Sequence, residues 1–264
     1  MPGRGRDATQ TTPPVTLPSP PPPFSFKVQL VIKPARGGPQ KTLTLTREKV
    51  AFPAVTHALC PGPARTGYVR VATFSRTTPA TIEEAVKDLQ AQGAARFVLD
   101  LRNNGGGVFP SAVEVARQWL KSGDVVLIAD AQGVRDSYEA NGSPLEPDAP
   151  LAVLVNRGTA SAAEVLAGAL RDNGRAAVAG ETTFGKGLIQ TVVPLSDGSA
   201  VAVTVARYQT PAGADINKKG ITPDLALADG GVDALPIGGG FCAAAALPDA
   251  PDVFSVPAHS RVKG

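Results

Sequence analysis

The sequence is poor in the side chains that most often bind transition metals. It has two histidines and two cysteines among 264 residues, and no CxxC pair. His57 and His259 lie far apart in the chain, and neither stands at metal-ligand spacing from another candidate, so a zinc site is not expected. Cys60 and Cys242 leave two states open, one long-range disulfide or two free thiols.

Long apolar runs and runs of like charge are also missing. No stretch reaches the roughly 18 consecutive apolar residues of a membrane-spanning helix, and the N-terminus lacks the apolar segment of a secretory signal. Lysine and arginine are scattered, and the formal net charge is only +3, so no run of positive charge can follow a phosphate backbone. The sequence therefore predicts no integral membrane segment and no nucleic-acid partner.

The composition indicates a globular core flanked by two segments of lower complexity. Hydrophobic residues make up 43% of the chain and charged residues 19%, enough apolar material for a folded core. Residues 1–26 are rich in proline, and we expect a disordered leader there. Residues 27–50 contain two period-two runs around PARGGPQ, which predicts a β-hairpin. The core is expected at 51–224, and a loosely ordered tail at 225–264.

Strand and helix patterns alternate along the core. Apolar or alternating runs predict strands at 66–74, 95–102, 124–129, 151–156, 188–195 and 199–209. Amphipathic patterns predict helices at 81–92, 111–121 and 161–174, each opened by the S/T-x-x-E capping box, at Thr81/Glu84, Ser111/Glu114 and Ser161/Glu164. This order predicts an α/β fold around one dominant core.

Ser161 is the first of three features suited to acyl transfer. It follows an apolar strand in RGTASAAE and stands at the start of a helix, whose positive end stabilises an alkoxide or an oxyanion. The amide of Ala162 would point the same way, as one half of an oxyanion hole.

The other two features are a glycine turn and a lysine loop. The turn NNGGG at 103–107 leaves backbone amides unshielded, so Gly106 or Gly107 is a candidate second donor to an oxyanion. In TFGKGLIQ, Lys186 lies between two glycines and beside apolar residues. Burial there would favour a neutral amine that can take a proton from a serine.

Each feature also has a purely structural interpretation. Ser161 and Glu164 can serve only as a capping box, NNGGG can be only a tight turn, and Gly-Lys-Gly is more often an exposed loop. A phosphate-binding loop is excluded, because it requires Ser or Thr where Gly187 follows the lysine.

Longer motifs resemble the carboxyl-terminal processing, or tail-specific, peptidases. The similarity runs from about Val28 to Asp224 and is densest from Leu151 onward, through RGTASAAE, TFGKGLIQ and ARYQTPAGADINKKGITPD. TGYVRVATFSRTT and FVLDLRNNGGG match the upstream segments of the family, and GFC at 240–242 is similar to the plant and algal tail. The sequence looks most like the cyanobacterial and chloroplast members, which mature the carboxyl-terminal extension of a photosystem II reaction-centre protein.

The resemblance implies a fold, a set of site residues and an activity. The fold is a crotonase- and caseinolytic-protease-like ββα core, preceded at 27–50 by the remnant of a PDZ domain. The roles carried over by motif position are nucleophile for Ser161, general base for Lys186, lysine-orienting residue for Gln190, nearby acid for Glu164 and oxyanion-hole amides for Gly107 and Ala162. The implied protein is a serine endopeptidase without cofactor that acts on a protein or peptide with a free carboxyl terminus. Its implied location is the chloroplast thylakoid lumen or, alternatively, the bacterial periplasm.

Two departures from the family pattern keep other functions open. Gly105 stands where the family usually has the proline of NNPGG, and only the closing hairpin of the PDZ domain is recognisable. A catalytically silent relative that acts as a binding or assembly factor is therefore one alternative. A crotonase-like acyl-thioester enzyme is another, although such enzymes generally use carboxylates rather than a Ser/Lys pair.

Overall fold

The computed structural model describes residues 27–34, 37–47, 52–227, 237, 241–242 and 252–254. The predicted disordered leader lies outside the described residues, as does most of the predicted tail. The chain divides into two compact units, 1–52 and 53–264. None of the helices in the described part of the chain is long and apolar enough to cross a membrane.

The first unit contains the predicted hairpin. Strands β1 (Lys27–Ile32) and β2 (Lys41–Thr46) pair antiparallel, with Lys27 opposite Thr46 and Ile32 opposite Lys41. The alternating sequence of the two runs favours extended backbone, and nearly every side chain of both strands is exposed.

The second unit is built on a six-stranded, mainly parallel sheet. Its order is β12-β9-β8-β5-β4-β3, and all neighbours pair parallel except β3 with β4. The strands are β3 (Val55–Leu59), β4 (Thr66–Val71), β5 (Arg96–Asp100), β8 (Leu151–Val155), β9 (Ala177–Gly180) and β12 (Leu225–Ala226). Strands β4, β5, β8 and β9 are buried along almost their whole length, and β8 accordingly reads in the sequence as a continuous apolar run.

Three helices pack against one face of this sheet. They are α1 (Thr78–Ala91), α2 (Phe109–Arg117) and α3 (Ala162–Asp172). The buried residues of α1 include Ile82, Ala85, Val86 and Leu89, whose spacing places them on one stripe of the helix. Together with inward-facing residues of the strands, the helices form the main hydrophobic core.

The opposite face of the sheet is covered by the C-terminal part of the chain. Phe241, Cys242 and Val253 are buried there against a second, smaller cluster that includes Tyr68 and Val98. Cys60 and Cys242 form a disulfide. A parallel sheet needs cover on both faces, and these described residues supply part of it on this face.

A second, antiparallel sheet has the order β10-β11-β6-β7. Its strands are β6 (Asp124–Asp130), β7 (Gly133–Glu139), β10 (Leu188–Pro194) and β11 (Ala200–Gln209). The predicted hairpin turn at Asp197-Gly198 is confirmed, since β10 and β11 pair antiparallel around it and Gly198 has a φ of 85°. Strands β3, β7, β9 and β12 were not predicted.

Two of the three predicted helix starts are wrong. Helix α1 begins at Thr78 and α2 at Phe109, so Thr81 and Ser111 lie inside the helices rather than at their caps. Both helices have a proline in their first turn, where its missing N–H costs nothing and its fixed φ suits a helix. The prolines, which lie ahead of the S/T-x-x-E patterns, therefore set where these helices begin.

Candidate active site

Ser161 lies where the loop after β8 turns into α3. Its backbone has φ 58° and ψ −121°, and a positive φ of this kind costs about 1–3 kcal/mol in a non-glycine residue unless the surroundings hold it. The serine itself is half-buried. Ala162, the first residue of α3, presents its amide at the helix end whose N–H groups have no intrahelical acceptor.

The Glu164 carboxylate holds this turn and the lysine loop together. Its Oε2 accepts hydrogen bonds from the backbone amides of Ser161, at 2.7 Å, and Lys186, at 2.8 Å. Its Oε1 accepts from the Thr183 hydroxyl at 2.5 Å and from the amide of Gly185 at 2.6 Å. Glu164 is fully buried, and four donors give its charge the compensation that burial demands. The acidic half of the predicted capping box is thus confirmed, and it reaches beyond the helix.

The glycines beside Lys186 are required by close backbone packing. A Cβ at Gly187 would lie 2.4 Å from the backbone nitrogen of Asn217. Gly185 has a φ of 85°, and its carbonyl accepts a hydrogen bond from the amide of Lys218 at 2.8 Å. The loop therefore lies directly on the segment 216–220, which fixes the backbone of Lys186.

The expected burial of the lysine is wrong for this chain. Lys186 is exposed, and Phe184, one of the apolar residues expected to cover it, is 67% exposed. In this loop the backbone at Gly185 and Gly187 is buried against the segment 216–220, whereas the Lys186 side chain between them is exposed to solvent. Any desolvation of the amine must therefore come from a group that binds over it.

The glycine turn at 103–107 lies against Ser161. A Cβ at Gly106, which has a φ of 100°, would stand 2.9 Å from the Ser161 Cβ and 3.1 Å from the amide nitrogen of Ala162. The turn is anchored by Asn104, whose carbonyl accepts from the amide of Ala160 and whose side-chain oxygen accepts from that of Gly106. The structure thus brings together two of the three features singled out in the sequence, and Glu164 joins the third.

Gly107 and Gln190 are the remaining two residues singled out in the sequence. Gly107 follows Gly106 in the turn, has a φ of 133°, and forms an isolated parallel bridge with Phe74. Gln190 is exposed at the base of the β10–β11 hairpin, next to an irregularity in the strand register. Its amide donates to the Thr204 hydroxyl at 3.3 Å.

A buried charged network lies directly before the glycine turn. Asp100 accepts from the backbone amide of Arg102 at 2.9 Å and from the Arg102 guanidinium at 2.6 Å. Tyr68 donates its hydroxyl to the same carboxylate at 2.6 Å. Burial opposes the charge on Arg102, but the bonds to Asp100 outweigh it and raise the pKa of the guanidinium above its ordinary value. This network holds the end of β5 where the turn begins.

Comparison with known proteins identifies the family. The model of peptidase family S41 matches residues 65–227. This chain belongs to peptidase family S41. It is 57% identical over 214 residues to the chloroplastic C-terminal processing peptidase of Tetradesmus obliquus, and the match covers 76% of this chain and 46% of that protein. It is 48% identical over 198 residues to the carboxyl-terminal-processing protease of Picosynechococcus, covering 75% and 48%.

Solved structures agree with this membership. The photosystem II D1 C-terminal processing protease superposes with a TM-score of 0.73 at 52% identity, covering 87% of the S41 chain and 62% of that protein. A lipoprotein from Streptococcus agalactiae shares the fold with a TM-score of 0.53 at 19% identity, covering 67% and 66%. The mixed α/β architecture is therefore that of S41 proteases. The chain spans about half the length of the curated relatives it matches.

Several residues that shape this S41 site were missed in the sequence. Thr183 bridges Glu164 Oε1 and the amide of Ile221, which donates to its hydroxyl at 2.7 Å. Asn104 anchors the glycine turn, and Asp100 and Arg102 precede it. Polar residues at the ends of apolar strands, as in LDLRNN and GETT, were the sequence signal that could have indicated these residues. The ends of parallel strands are where buried polar groups of a site come together.

Proposed function

We propose that this chain is a serine endopeptidase that cleaves proteins near their carboxyl termini, with Ser161 as nucleophile and Lys186 as general base. The observation that carries the proposal is that one oxygen of Glu164 binds the backbone amides of both residues. This shared acceptor keeps the strained serine turn and the lysine loop adjacent. The names of the relatives as processing peptidases support the activity.

The proposed reaction is acyl transfer in two steps. The Ser161 hydroxyl oxygen attacks the scissile carbonyl carbon while the Lys186 amine takes its proton. The amides of Gly107 and Ala162 stabilise the resulting oxyanion. The lysine then gives the proton to the leaving amine, and water, activated by the same lysine, hydrolyses the ester to the serine.

We assign three supporting roles in this reaction. Glu164 positions the two turns through its four hydrogen bonds. Gln190 orients the lysine once substrate is bound. Because Lys186 is exposed in the free chain, bound substrate supplies the cover that favours its neutral form.

We further propose the substrate class and location from the relatives. One solved relative is a photosystem II D1 C-terminal processing protease, and other relatives are chloroplastic or cyanobacterial. The substrate is then a protein with a free carboxyl terminus, processed in the thylakoid lumen. In this proposal the core is of the crotonase-like ββα type, and the hairpin β1–β2 is the remnant of a PDZ domain.

Labelling with a fluorophosphonate tests the proposal directly, because an activated serine attacks the phosphorus of this reagent, expels fluoride and becomes phosphonylated. The wild-type chain should be labelled at Ser161, and Ser161→Ala and Lys186→Ala should reduce labelling to background. Lys186→Arg should fail as well, since a guanidinium does not lose its proton in a protein. Normal labelling of a folded Lys186→Arg variant would rule out the lysine as base. An unlabelled wild type would rule out the peptidase.

A further inference from the structure

The C-terminal residues Phe241, Cys242 and Val253, here called the tail contact, cover the sheet face opposite the helices. They are 3%, 5% and 5% exposed, and they pack in one cluster with residues of β4, β5, β8 and β9. The cluster is much smaller than the main core, and its C-terminal members lie far in sequence from the strands that they cover. The cover of this face therefore depends on a segment that is distant in sequence.

One covalent bond fixes the tail contact to the sheet. Cys60, which follows β3, is joined to Cys242 across 182 residues of sequence. Next to it, the ring of Phe241 stacks on the ring of Tyr68, with centroids 4.8 Å apart and an interplanar angle of 21°. Tyr68 is fully buried under this ring.

Tyr68 links the tail contact to the glycine turn. Its hydroxyl donates to Asp100 Oδ2 at 2.6 Å, and Asp100 Oδ1 accepts from the backbone amide of Arg102 at 2.9 Å. Arg102 immediately precedes the turn 103–107, whose Gly106 lies against Ser161. An unbroken series of contacts thus runs from the disulfide through Phe241, Tyr68 and Asp100 to the candidate oxyanion hole.

We propose that the Cys60–Cys242 disulfide controls the candidate active site through Tyr68, which acts as a positioning residue for the glycine turn. A dithiol reductant supplies two electrons and two protons, the S–S bond breaks, two thiols form, and the reductant closes to its own disulfide. The tail contact then loses its covalent attachment, and Phe241 leaves the ring of Tyr68. This inference rests on the proposed peptidase function and adds regulation to it.

Loss of the ring stack affects the glycine turn because the hydrogen-bonded network of Asp100 and Arg102 beneath it is shielded from solvent. Asp100 and Arg102 are 0% and 1% exposed, and hydrogen bonds between charged groups in such surroundings depend on the exclusion of water. Once Phe241 withdraws, water reaches Tyr68 and competes for the Asp100 carboxylate. The end of β5 loosens, and the amides that stabilise the oxyanion lose their fixed positions.

The test compares oxidised and reduced protein in the fluorophosphonate assay. Reduction is verified by titrating two thiols per chain in the unfolded protein. We expect the second-order labelling rate of Ser161 to fall at least tenfold on reduction and to recover on reoxidation. Equal rates in the two verified states would overturn the inference and leave the peptidase proposal intact. An unlabelled oxidised wild type would overturn both.

Variants separate the route through Tyr68 from a general loss of stability. The double variant Cys60→Ser/Cys242→Ser should have the reduced rate in both conditions. Tyr68→Phe keeps the ring stack and removes only the hydroxyl, so oxidised Tyr68→Phe should show a lowered kcat on a peptide with KM changed less than twofold, and little further response to reductant. A full response to reductant in Tyr68→Phe would overturn this route.

The control is Val86→Ala in α1. It removes two methyl groups from the main core and lowers stability, but it lies outside the series of contacts from the disulfide to the turn. Compared at equal distance below their melting temperatures, oxidised Val86→Ala should be labelled like the wild type. If the labelling rate of Ser161 fell equally in Val86→Ala and in the double serine variant, reduction would act only through stability, and the inference would be overturned.

Discussion

Glu164 shows how a single buried side chain can serve helix geometry and site geometry together. Its carboxylate accepts the amide of Ser161, as a capping acid does, and also the amides of Gly185 and Lys186. A carboxylate is acceptor-only, so it suits a position where all neighbours are donors. No neutral side chain of the same size has this property, which makes the position sensitive to a conservative substitution.

Glu164→Gln should therefore be strongly harmful. The amide group must turn its NH2 toward one pair of donors, which leaves buried N–H groups unpaired at a cost of about 2 kcal/mol. We expect a lower melting temperature and at least a tenfold slower fluorophosphonate labelling. The matched control is Glu114→Gln on α2, an exposed residue whose ion pair with Arg117 contributes little. Equal stability of the two variants would contradict this account of Glu164.

Ser161 carries strain that its replacement can reveal. Its φ of 58° is a conformation that glycine adopts freely and alanine does not. Both Ser161→Gly and Ser161→Ala should be inactive, but the glycine variant should be more stable than the alanine variant by about 1 kcal/mol. Chemical denaturation measures the difference. Ala80, which has the helical backbone of α1, is the control: there Ala80→Gly should lower the free energy of unfolding, so alanine should be the more stable form. If the alanine form were the more stable one at both positions, Ser161 would be unstrained.

At the scale of elements, the glycine turn and the start of α3 must fit without a gap. Gly105 and Gly106 are adjacent in sequence, but their surroundings differ. A Cβ at Gly105 meets no atom within 4 Å, whereas one at Gly106 meets Ser161, Ala160 and Ala162 at 2.9 to 3.1 Å. Only the second glycine is needed for close approach, and this difference provides a matched pair of substitutions.

Gly106→Ala should lower labelling at least tenfold, because the methyl group displaces the serine and the φ of 100° is strained for alanine. Gly105→Ala should be labelled within twofold of the wild type. Rates for both variants, measured with thermal unfolding, test the prediction. A strong effect at Gly105, or none at Gly106, would mean that the turn packs differently against α3.

The same scale shows what the sequence could and could not predict. Strands β5, β8 and β11 and the glycine turn follow from local patterns, because burial and turn chemistry act on neighbouring residues. The S/T-x-x-E pattern was correct at Ser161 and wrong for α1 and α2, where a proline in the first turn sets the start. Local pattern alone does not rank two competing start signals.

Long-range features were beyond sequence patterns. The exposure of Lys186 depends on how its loop packs on the segment 216–220. The pairing of Cys60 with Cys242 depends on the tail covering a sheet face. The bonds from Thr183 and Gly185 to Glu164 span about twenty residues of sequence. Each requires the fold to be known first, since the partners share no local pattern.

At the scale of the whole molecule, the described contacts of the candidate site all lie within one unit. Both hydrophobic clusters, the disulfide and the bonds of Glu164 belong to residues 53–264. The first unit contributes no residue to either cluster among the described positions. We therefore expect the described contacts of the second unit to account for most of the stability and geometry of the site.

Deletion of residues 1–52 tests this independence. The shortened chain should melt within about 3 °C of the full chain, the shift that a 1 kcal/mol change produces in a chain of this size. Fluorophosphonate labelling should stay within twofold, because no described contact of Ser161 or Glu164 is removed. Deletion of residues 228–264 is the contrasting variant, since it removes the tail contact and the disulfide and should lower both quantities. If loss of residues 1–52 abolished labelling in a chain that still melts normally, the first unit would have to supply part of the site.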